Sequence, residues 1–296
     1  MMKSMPLSVK AAEPSQPPDL SFLSNTGVIW TMGVLNTTPD SFYAGSRTPQ
    51  IESALHISSQ MINQGADVID VGGESTRPGA EKIPASVELE RVLPVIEAVR
   101  ERWPHIPLSI DTQKAAVARE ALVRGVRIVN DISALRADPA MADLVGESHC
   151  SVVLMHMQGT PQTMQKRPQY GNVVEEVKQF FEERLAFATS HQISADRVIL
   201  DPGIGFGKTL EHNMALLKGL SAFCSLGRPI LVGVSRKSFI GRWLGSEGAP
   251  LPPEERLEGS IAAALWAVKE GARGLRVHDV GATRRALRIW EGINSL

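Results

Sequence analysis

The stretch Arg197–Thr209, RVILDPGIGFGKT, places a carboxylate and a glycine-rich turn directly after an apolar run. The run from 198 to 200 is typical of a strand buried on both faces, and Asp201 follows at its end. Three glycines between Pro202 and Lys208 allow a sharp turn whose amides approach a ligand closely, and Lys208 adds a positive charge. The stretch therefore predicts an anion-binding loop beside a buried carboxylate.

Two common phosphate-binding motifs do not match this loop. The P-loop requires its first glycine where Pro202 stands, and the dinucleotide fingerprint requires its third glycine where Lys208 stands. An ordinary strand-to-helix connection is the alternative for a single glycine-rich turn. Residues elsewhere in the chain must therefore decide whether the loop binds a ligand.

The composition favours one large α/β domain. The chain has 296 residues, of which 43% are hydrophobic and 21% are charged, so it can bury a full core. A net charge of -1 gives no general attraction to nucleic acid or to an anionic membrane. Cys150 and Cys224 lack the spacing of a disulfide framework or a zinc site, which indicates two buried thiols in a reducing compartment. We therefore expect a cytoplasmic protein that binds neither nucleic acid nor membrane.

The first 24 residues differ from the rest of the chain. They contain several prolines and lysines but lack the continuous apolar segment of a secretory signal. No apolar run in the sequence approaches the roughly 20 residues that cross a bilayer. We expect residues 1–24 to form a flexible leader and residues 25–296 to form the folded domain.

Eight short apolar runs recur along the chain, and amphipathic stretches such as Asn172–His191 and Glu254–Glu270 separate nearly all of them. The runs are Val28–Val34, Val68–Val71, Pro107–Ile110, Val126–Val129, Val152–Met155, Val198–Leu200, Ile230–Val234 and Gly274–Val277. Alternating strands and helices predict a parallel sheet, and eight units predict a closed (β/α)8 TIM barrel in a single domain. An open doubly wound sheet is the alternative architecture.

A polar residue stands at or just beyond the end of each predicted strand. These residues are Asn36, Asp70, Asp111, Asn130, His156, Asp201, Ser235 and His278. Any one of them could cap a helix, but the strand ends of a barrel converge on one mouth, where barrel enzymes build their sites. His278 has Arg276 two residues away on the same strand face, whereas His156 has no such partner, so we interpret His156 as structural.

Long blocks of the sequence resemble the dihydropteroate synthase family. They are MGVLNTTPDSF at Met32–Phe42, VGGESTRPGA at Val71–Ala80, NDIS at Asn130–Ser133, LMHMQGTP at Leu154–Pro161, the loop Asp201–Thr209, GVSRKSFIG at Gly233–Gly241 and RVHDV at Arg276–Val280. The resemblance implies a transferase of folate biosynthesis that joins 4-aminobenzoate to 6-hydroxymethyl-7,8-dihydropterin diphosphate, with release of diphosphate. It also implies a homodimer and competitive inhibition by sulfonamides.

The resemblance implies that four residues bind the pterin. Asp201 would accept two hydrogen bonds from the amino group and ring N–H of the pterin, which lie side by side. Asn130 and Asp111 would bind other ring positions, and Lys237 would donate to the ring while its stem packs on the ring face. With Arg276, the expected catalytic residues are Asp111, Asn130, Asp201, Lys237 and Arg276.

Further positions that match the family imply contacts with the diphosphate and the aminobenzoate. Asn36 would supply an oxygen to Mg²⁺, which prefers oxygen ligands and substrate phosphates. Arg276, His278 and Ser235 would lie around the diphosphate, and the loops that contain Asn36 and Arg77 would close over the site. The other expected substrate contacts are Ser75, Thr76, Arg77, Pro78, Met155, Gly205, Phe206 and Ser238, with Ser75–Pro78 and Ser238 around the aminobenzoate.

The implied chemistry is dissociative. The carbon next to the electron-rich dihydropterin ring would release diphosphate and leave a delocalised cation, which the neutral arylamine would attack once positioned. Such a step is helped most by groups that stabilise the departing charge, such as Mg²⁺, Arg276 and backbone amides. No Ser-His-Asp relay is required.

Two other functions stay open from the sequence. A methyltransferase that uses methyltetrahydrofolate shares the Asp and Asn pterin contacts, but the blocks at Ser75–Gly79 and Ser235–Phe239 favour the synthase. A non-catalytic pterin-binding paralogue is supported only by Tyr43–Ser46, where the family usually has Ser-Asp-Gly-Gly. That replacement removes one acidic residue from the first loop.

Overall fold

The computed structural model describes residues 19–24, 27–38, 47–246 and 248–295. The strands are β1 Trp30–Asn36, β2 Val68–Gly72, β3 Leu108–Asp111, β4 Ile128–Asp131, β5 Ser151–Met155, β6 Val198–Asp201, β7 Leu231–Val232 and β8 Gly274–Val277. The helices are α1 Ser21–Ser24, α2 Arg47–Asn63, α3 Ala85–Arg102, α4 Ala115–Val123, α5 Ala140–Glu147, α6 Val173–Ser190, α7 Leu210–Lys218, α8 Ser238–Leu244, α9 Leu257–Lys269 and α10 Val280–Asn294. Strands and helices therefore alternate along the described chain, except that α8 and α9 both lie between β7 and β8.

The sheet closes into a barrel. All paired strands are parallel, in the order β6-β5-β4-β3-β2-β1-β8-β7. The two ends of this order meet at a single bridge between Leu200 and Ile230, and the Leu200 amide donates to the Pro229 carbonyl oxygen at 3.0 Å. The prediction of a (β/α)8 TIM barrel is confirmed, and the open doubly wound sheet is excluded because the two end strands of the order, β6 and β7, meet at this bridge.

Among the described strands only β8 has the same bounds as its apolar run, and β1 and β7 illustrate how the other strands differ. The first strand starts later than the run Val28–Val34 and continues to Asn36, because its pairing with β2 extends to the pair Asn36 and Gly72. The seventh strand is shorter than the run Ile230–Val234 and pairs only at Leu231–Val232. An apolar run marks burial rather than hydrogen bonding, so the run and the strand need not coincide.

The barrel interior consists of an apolar floor below a polar layer. The floor contains Trp30, Met32, Val68, Ile128, Val153, Ile199 and Leu231, all buried. Side chains two residues apart on a strand point to the same face. On three strands the residue two positions after a floor residue belongs to the polar layer. These pairs are Val68 and Asp70 on β2, Ile128 and Asn130 on β4, and Ile199 and Asp201 on β6. The polar layer therefore stands on a water-excluding base at the carboxyl ends of the strands.

Helix α1 covers the outer side of this floor. Leu23 is 3% exposed and belongs to the same cluster as Trp30, and Leu20 and Phe22 pack against that cluster. The Phe22 and Trp30 rings meet edge to face, with centroids 6.3 Å apart. The end of the predicted leader thus contacts the barrel, because these side chains cover apolar surface, while residues 1–18 lie outside the described chain. Within the described residues no helix is both long and apolar enough to span a membrane.

We predict that Leu23→Ala lowers the free energy of unfolding by about 2–4 kcal/mol, because it opens a cavity against the barrel floor. Urea denaturation followed by circular dichroism measures this change. Ser24→Ala, at an exposed position of the same helix, is the matched control and should shift the value by less than about 0.5 kcal/mol. Equal stability of the Leu23 variant and the wild type would show that α1 does not dock in solution.

Candidate active site

Arg276 lies in the polar layer between two buried carboxylates. Its Nε donates to Asp70 Oδ2 at 2.7 Å, and its Nη2 donates to Asp111 Oδ2 at 2.8 Å. Asn130 Nδ2 donates to the same Asp70 oxygen at 3.0 Å. The network joins β2, β3, β4 and β8, and Asp111 and Asn130 are register neighbours in the sheet. Three of the predicted catalytic residues therefore lie in one hydrogen-bonded network.

The network leaves acceptors free. The Oδ1 atoms of Asp70 and Asp111 are buried and have no hydrogen-bond partner among the described residues. A buried acceptor without a donor costs free energy, roughly 1–3 kcal/mol. Unsatisfied acceptors in this layer therefore favour a ligand that presents N–H groups.

Asp70 is the residue that the sequence analysis missed. It was recognised as a strand-end residue, yet it is fully buried and binds both Arg276 and Asn130. The available signal was its position two residues after Val68, which places it on the inward face.

Asp201 lies across the mouth beside the glycine-rich turn. Its Oδ1 accepts a hydrogen bond from the Gly203 amide at 2.7 Å, and its side chain is buried. Gly203, Gly205 and Gly207 all have positive φ, so the prediction of a sharp turn is correct. A Cβ at Gly203 would lie 1.9 Å from the His156 carbonyl oxygen, so no larger residue fits there.

Lys237 reaches the same turn from the loop after β7. Its Nζ donates to the Ile204 carbonyl oxygen and lies 4.4 Å from the centre of the Phe206 ring. A Cβ at Gly205 would lie 3.0 Å from Lys237 Cδ, so the missing side chain leaves room for the lysine stem. Phe206 also packs on a cluster that contains Met155, which gives this side of the mouth an apolar wall.

Burial and the neighbouring charges shift the pKa values of the ionisable side chains in the polar layer. Burial raises the pKa of Asp111 to about 7, although Arg276 opposes the shift, and burial also raises the pKa of Asp201 against the opposing charge of Lys237. Desolvation lowers the pKa of Lys237 to about 8, despite the nearby Asp201. Burial would lower the pKa of Arg276, but Asp70 and Asp111 outweigh it and raise that pKa. A ligand with N–H donors would favour the ionised carboxylates.

Lys208 does not serve the anion loop as predicted. It is 2% exposed, and its Nζ lies 2.9 Å from both the Phe206 carbonyl oxygen and His156 Nδ1. Burial lowers the pKa of His156 to about 2, with a further contribution from Lys208, so the ring is neutral and Nδ1 accepts from the amine. The expectation was wrong because the turn directs this side chain inward, where it fastens the loop to the strand end. His156 keeps its structural interpretation.

Ser235 and His278 form the opposite rim. The Ser235 Oγ lies 3.1 Å from His278 Nδ1 and accepts a hydrogen bond from the His278 amide at 3.2 Å. His278 is exposed at the mouth, yet desolvation of its ring and the nearby Arg276 lower its pKa to about 4. His278 is therefore neutral at pH 7. Arg276, which is expected near the diphosphate, donates to two carboxylates of the layer in this structure.

The other predicted contacts lie on loops. Arg77 and Pro78 are exposed and Thr76 is half-buried, on the loop whose Gly79 amide donates to the Pro161 carbonyl oxygen at 3.1 Å. Ser238 is exposed at the start of α8. These residues surround the mouth but do not join the hydrogen-bonded layer described above.

Asn36 ends β1 beside the layer. A Cβ at Gly72 would lie 3.8 Å from both Asn36 Oδ1 and Asp111 Oδ2, so an amide oxygen and a carboxylate oxygen border the same gap. The described residues contain no group of three or more His, Cys, Asp or Glu residues that could hold a metal ion. An ion here would therefore take most of its ligands from a substrate. Asp40 and Tyr43–Ser46 lie outside the described residues.

Known proteins share this fold and these sequence blocks. Residues 32–278 match the family described as pterin binding enzyme. The dihydropteroate synthase of Escherichia coli K12 is 45% identical over 88% of this chain and 90% of its own length. The Yersinia pestis dihydropteroate synthase in a sulfonamide drug complex superposes with a TM-score of 0.85 at 40% identity, covering 92% of this chain and 96% of that chain. The Xanthomonas albilineans dihydropteroate synthase with 4-aminobenzoic acid gives 0.84 at 43% identity, covering 92% and 95%.

The two lysines of the mouth should respond differently to substitution. We predict that Lys208→Met lowers the free energy of unfolding by about 2 kcal/mol or more, because buried carbonyl oxygens lose their donor. Lys237→Met should leave the stability within about 1 kcal/mol and instead weaken pterin binding. Urea denaturation and calorimetric titration with a pterin measure the two effects. Equal losses of stability and of pterin affinity in the two variants would contradict the assignment of a structural role to Lys208 and a binding role to Lys237.

Proposed function

The chain belongs to the dihydropteroate synthase family of pterin-binding enzymes, and from this we infer that it is a transferase of folate biosynthesis. It transfers the dihydropterin-methyl group of 6-hydroxymethyl-7,8-dihydropterin diphosphate to 4-aminobenzoate and releases diphosphate. The observation that carries the inference is the convergence of Asp111, Asn130 and Asp201 on one barrel mouth, beside Arg276 and Lys237.

We propose that the pterin binds edge-on to this layer. The carboxylate of Asp201 accepts hydrogen bonds from the pterin amino group and ring N–H, and Asp111 and Asn130 bind other ring positions. Lys237 donates to the ring. Met155 and Phe206 support the ring, and the absence of a side chain at Gly205 leaves room for the Lys237 stem that packs on it. The buried acceptors of the layer support this arrangement, since the ring supplies the missing donors.

We propose that the rim binds the two polar ends of the substrates. The neutral His278 ring donates to a diphosphate oxygen, while its Nδ1 accepts from the Ser235 hydroxyl, which orients the ring. Thr76, Arg77 and Pro78 on the second loop, together with Ser238, contact the aminobenzoate. Arg276 would supply positive charge from below, while it holds the carboxylates of the layer.

In the reaction the bond between the pterin methylene carbon and the diphosphate oxygen breaks, and the electron pair leaves with diphosphate. The arylamine nitrogen then forms a bond to that carbon and loses a proton. The carboxylates of Asp111 and Asp201 stabilise the positive charge that spreads over the ring. His278, oriented by Ser235, stabilises the departing negative charge by hydrogen bonding. The residues of this chain thus position opposite charges at the two sides of the breaking bond.

We propose that Asn36 helps to hold Mg²⁺, with diphosphate oxygens as the other ligands. The amide and carboxylate oxygens beside Gly72 fit a hard cation that prefers oxygen ligands. When bound, Mg²⁺ would neutralise charge on the diphosphate. The first loop beyond Thr38 lies largely outside the described residues.

We propose a cytoplasmic homodimer. The apolar side chains of Trp243 and Leu244 on α8 are 62% and 51% exposed, and large exposed apolar groups are typical of interaction surfaces. Cys150 is buried as expected, whereas Cys224 is exposed, which corrects the expectation of two buried thiols; both are free, and free thiols fit a reducing compartment. We keep residues 1–24 as a proposed leader, of which 19–24 pack on the barrel.

The relatives favour the synthase over the two other functions considered from the sequence. The matches cover about nine-tenths of the chain and are dihydropteroate synthases. No contact among the described residues favours a methyltransferase or a paralogue without activity.

Purified protein with both substrates and Mg²⁺ should form dihydropteroate.

We predict that Asp201→Ala weakens binding of the pterin diphosphate about 100-fold, because a two-pronged charged hydrogen bond is lost. Calorimetric titration measures the affinity. Asp196→Ala removes an exposed carboxylate from the same region and is the control. Absence of product from folded wild type would reject the function, and retained affinity in Asp201→Ala would reject the pterin site.

The pH dependence should report on Lys237. Because desolvation lowers its pKa to about 8, the lysine is charged below that pH and loses its charge as the pH rises through it. We predict that kcat/KM for the pterin diphosphate falls above about pH 8, since this parameter reports ionisation of the free enzyme. Lys237→Arg keeps the charge, so the alkaline limb should move to higher pH. If the pH profiles of kcat/KM for the wild type and Lys237→Arg superimpose, the decrease at alkaline pH belongs to another group.

A further inference from the structure

Glu74 closes the base of the loop that carries Thr76, Arg77 and Pro78. Its Oε1 accepts a hydrogen bond at 2.7 Å from the amide of Ile83, nine residues later, and its side chain is 9% exposed. The bond ties the end of β2 to the residues that precede α3. The segment 75–82 therefore forms a closed loop with a fixed base.

The other oxygen of Glu74 belongs to an ion-pair network. Lys114 Nζ lies 3.1 Å from Glu74 Oε2 and 2.5 Å from Oε2 of the fully buried Glu88. Lys114 immediately precedes α4 and stands three residues after Asp111. The network therefore links the loop base to the strand end that carries a proposed pterin ligand.

The loop base is packed, whereas the loop tip is not. A Cβ at Gly73 would lie 2.7 Å from Val92 Cγ1, and the Gly73 carbonyl oxygen accepts from Arg91 Nη1 at 2.9 Å. Ser75 and Arg77 are exposed. The exposed part of the loop therefore lies between Glu74 and Ile83, where the Gly79 amide also donates to the Pro161 carbonyl oxygen.

We propose that Glu74 is a positioning residue for the aminobenzoate side of the site, an inference that rests on the proposed function. It touches neither substrate. By holding both ends of the loop, it limits the positions that Thr76 and Arg77 can reach, and through Lys114 it sets the loop against Asp111. Glu88 keeps Lys114 in place but cannot replace Glu74, because it has no contact with Ile83 among the described residues.

The test compares Glu74→Ala, Glu74→Gln and a control, Glu90→Ala, which removes an exposed carboxylate from α3. We expect Glu74→Ala to raise the KM for 4-aminobenzoate about 10-fold or more, because the loop loses a charge-assisted anchor. The calorimetric Kd for the pterin diphosphate should change less than about 2-fold. Glutamine keeps an acceptor for the Ile83 amide, so Glu74→Gln should restore much of the aminobenzoate KM.

Hydrogen exchange of the Ile83 amide provides a readout that does not need activity. The amide should be protected in the wild type and in Glu74→Gln but exchange faster in Glu74→Ala, and urea denaturation checks that each variant is folded. An unchanged aminobenzoate KM, or equal losses for both substrates, would overturn the positioning role. A wild type without synthase activity would reject the proposed function and with it the aminobenzoate role, while the exchange data would still decide whether Glu74 closes the loop.

Discussion

The guanidinium of Arg276 is the interaction on which the mouth of the barrel depends. Two carboxylates with little or no exposure, Asp70 and Asp111, share it, and Asn130 binds the first of them. Buried charges are costly unless they are paired, and removal of one partner leaves the other uncompensated. Because the apolar floor below excludes water, each of these hydrogen bonds is stronger than it would be in solvent. The positive charge of Arg276 thus allows several buried acceptors to lie together, where a flat ring with N–H donors can hydrogen-bond to them.

A buried lysine, Lys208, serves structure rather than binding. Lys208 and Lys237 lie near the same glycine-rich turn, yet Lys208 donates to carbonyl oxygens behind the turn and Lys237 lies over Phe206 in front of it. The turn needs positive φ at its glycines and passes close to the His156 carbonyl oxygen. Lys208 holds the backbone of the turn in this position, and Lys237 lies on the open side of the turn. Residue type alone does not separate these roles, because they depend on which side of the backbone each side chain occupies.

The sequence was sufficient to predict the barrel and the polar residues at or near the ends of its strands. Regular apolar runs report burial, and a polar residue at each strand end reports convergence, since both follow from the two-residue repeat of a strand. Three features could not be predicted from the sequence, for physical reasons. The inward turn of Lys208 and the inward position of Arg276 depend on tertiary partners, because long side chains adopt many rotamers. The docking of Leu23 depends on a floor assembled from distant strands.

The two halves of the site are built on elements of different rigidity. Asp111 and Asn130 lie on strands that pair on both sides, and Asp201 pairs with Met155 of the neighbouring β5. Thr76 and Arg77 lie on a loop whose base is held by Glu74. The acceptors of the strands therefore stand in place before any ligand arrives, since their geometry follows from sheet register. The loop retains freedom to close only where its side chains are exposed. A rigid recognition layer below a tethered loop divides the proposed site into strands that select the ring by hydrogen-bond geometry and a loop that can cover the second substrate and exclude water.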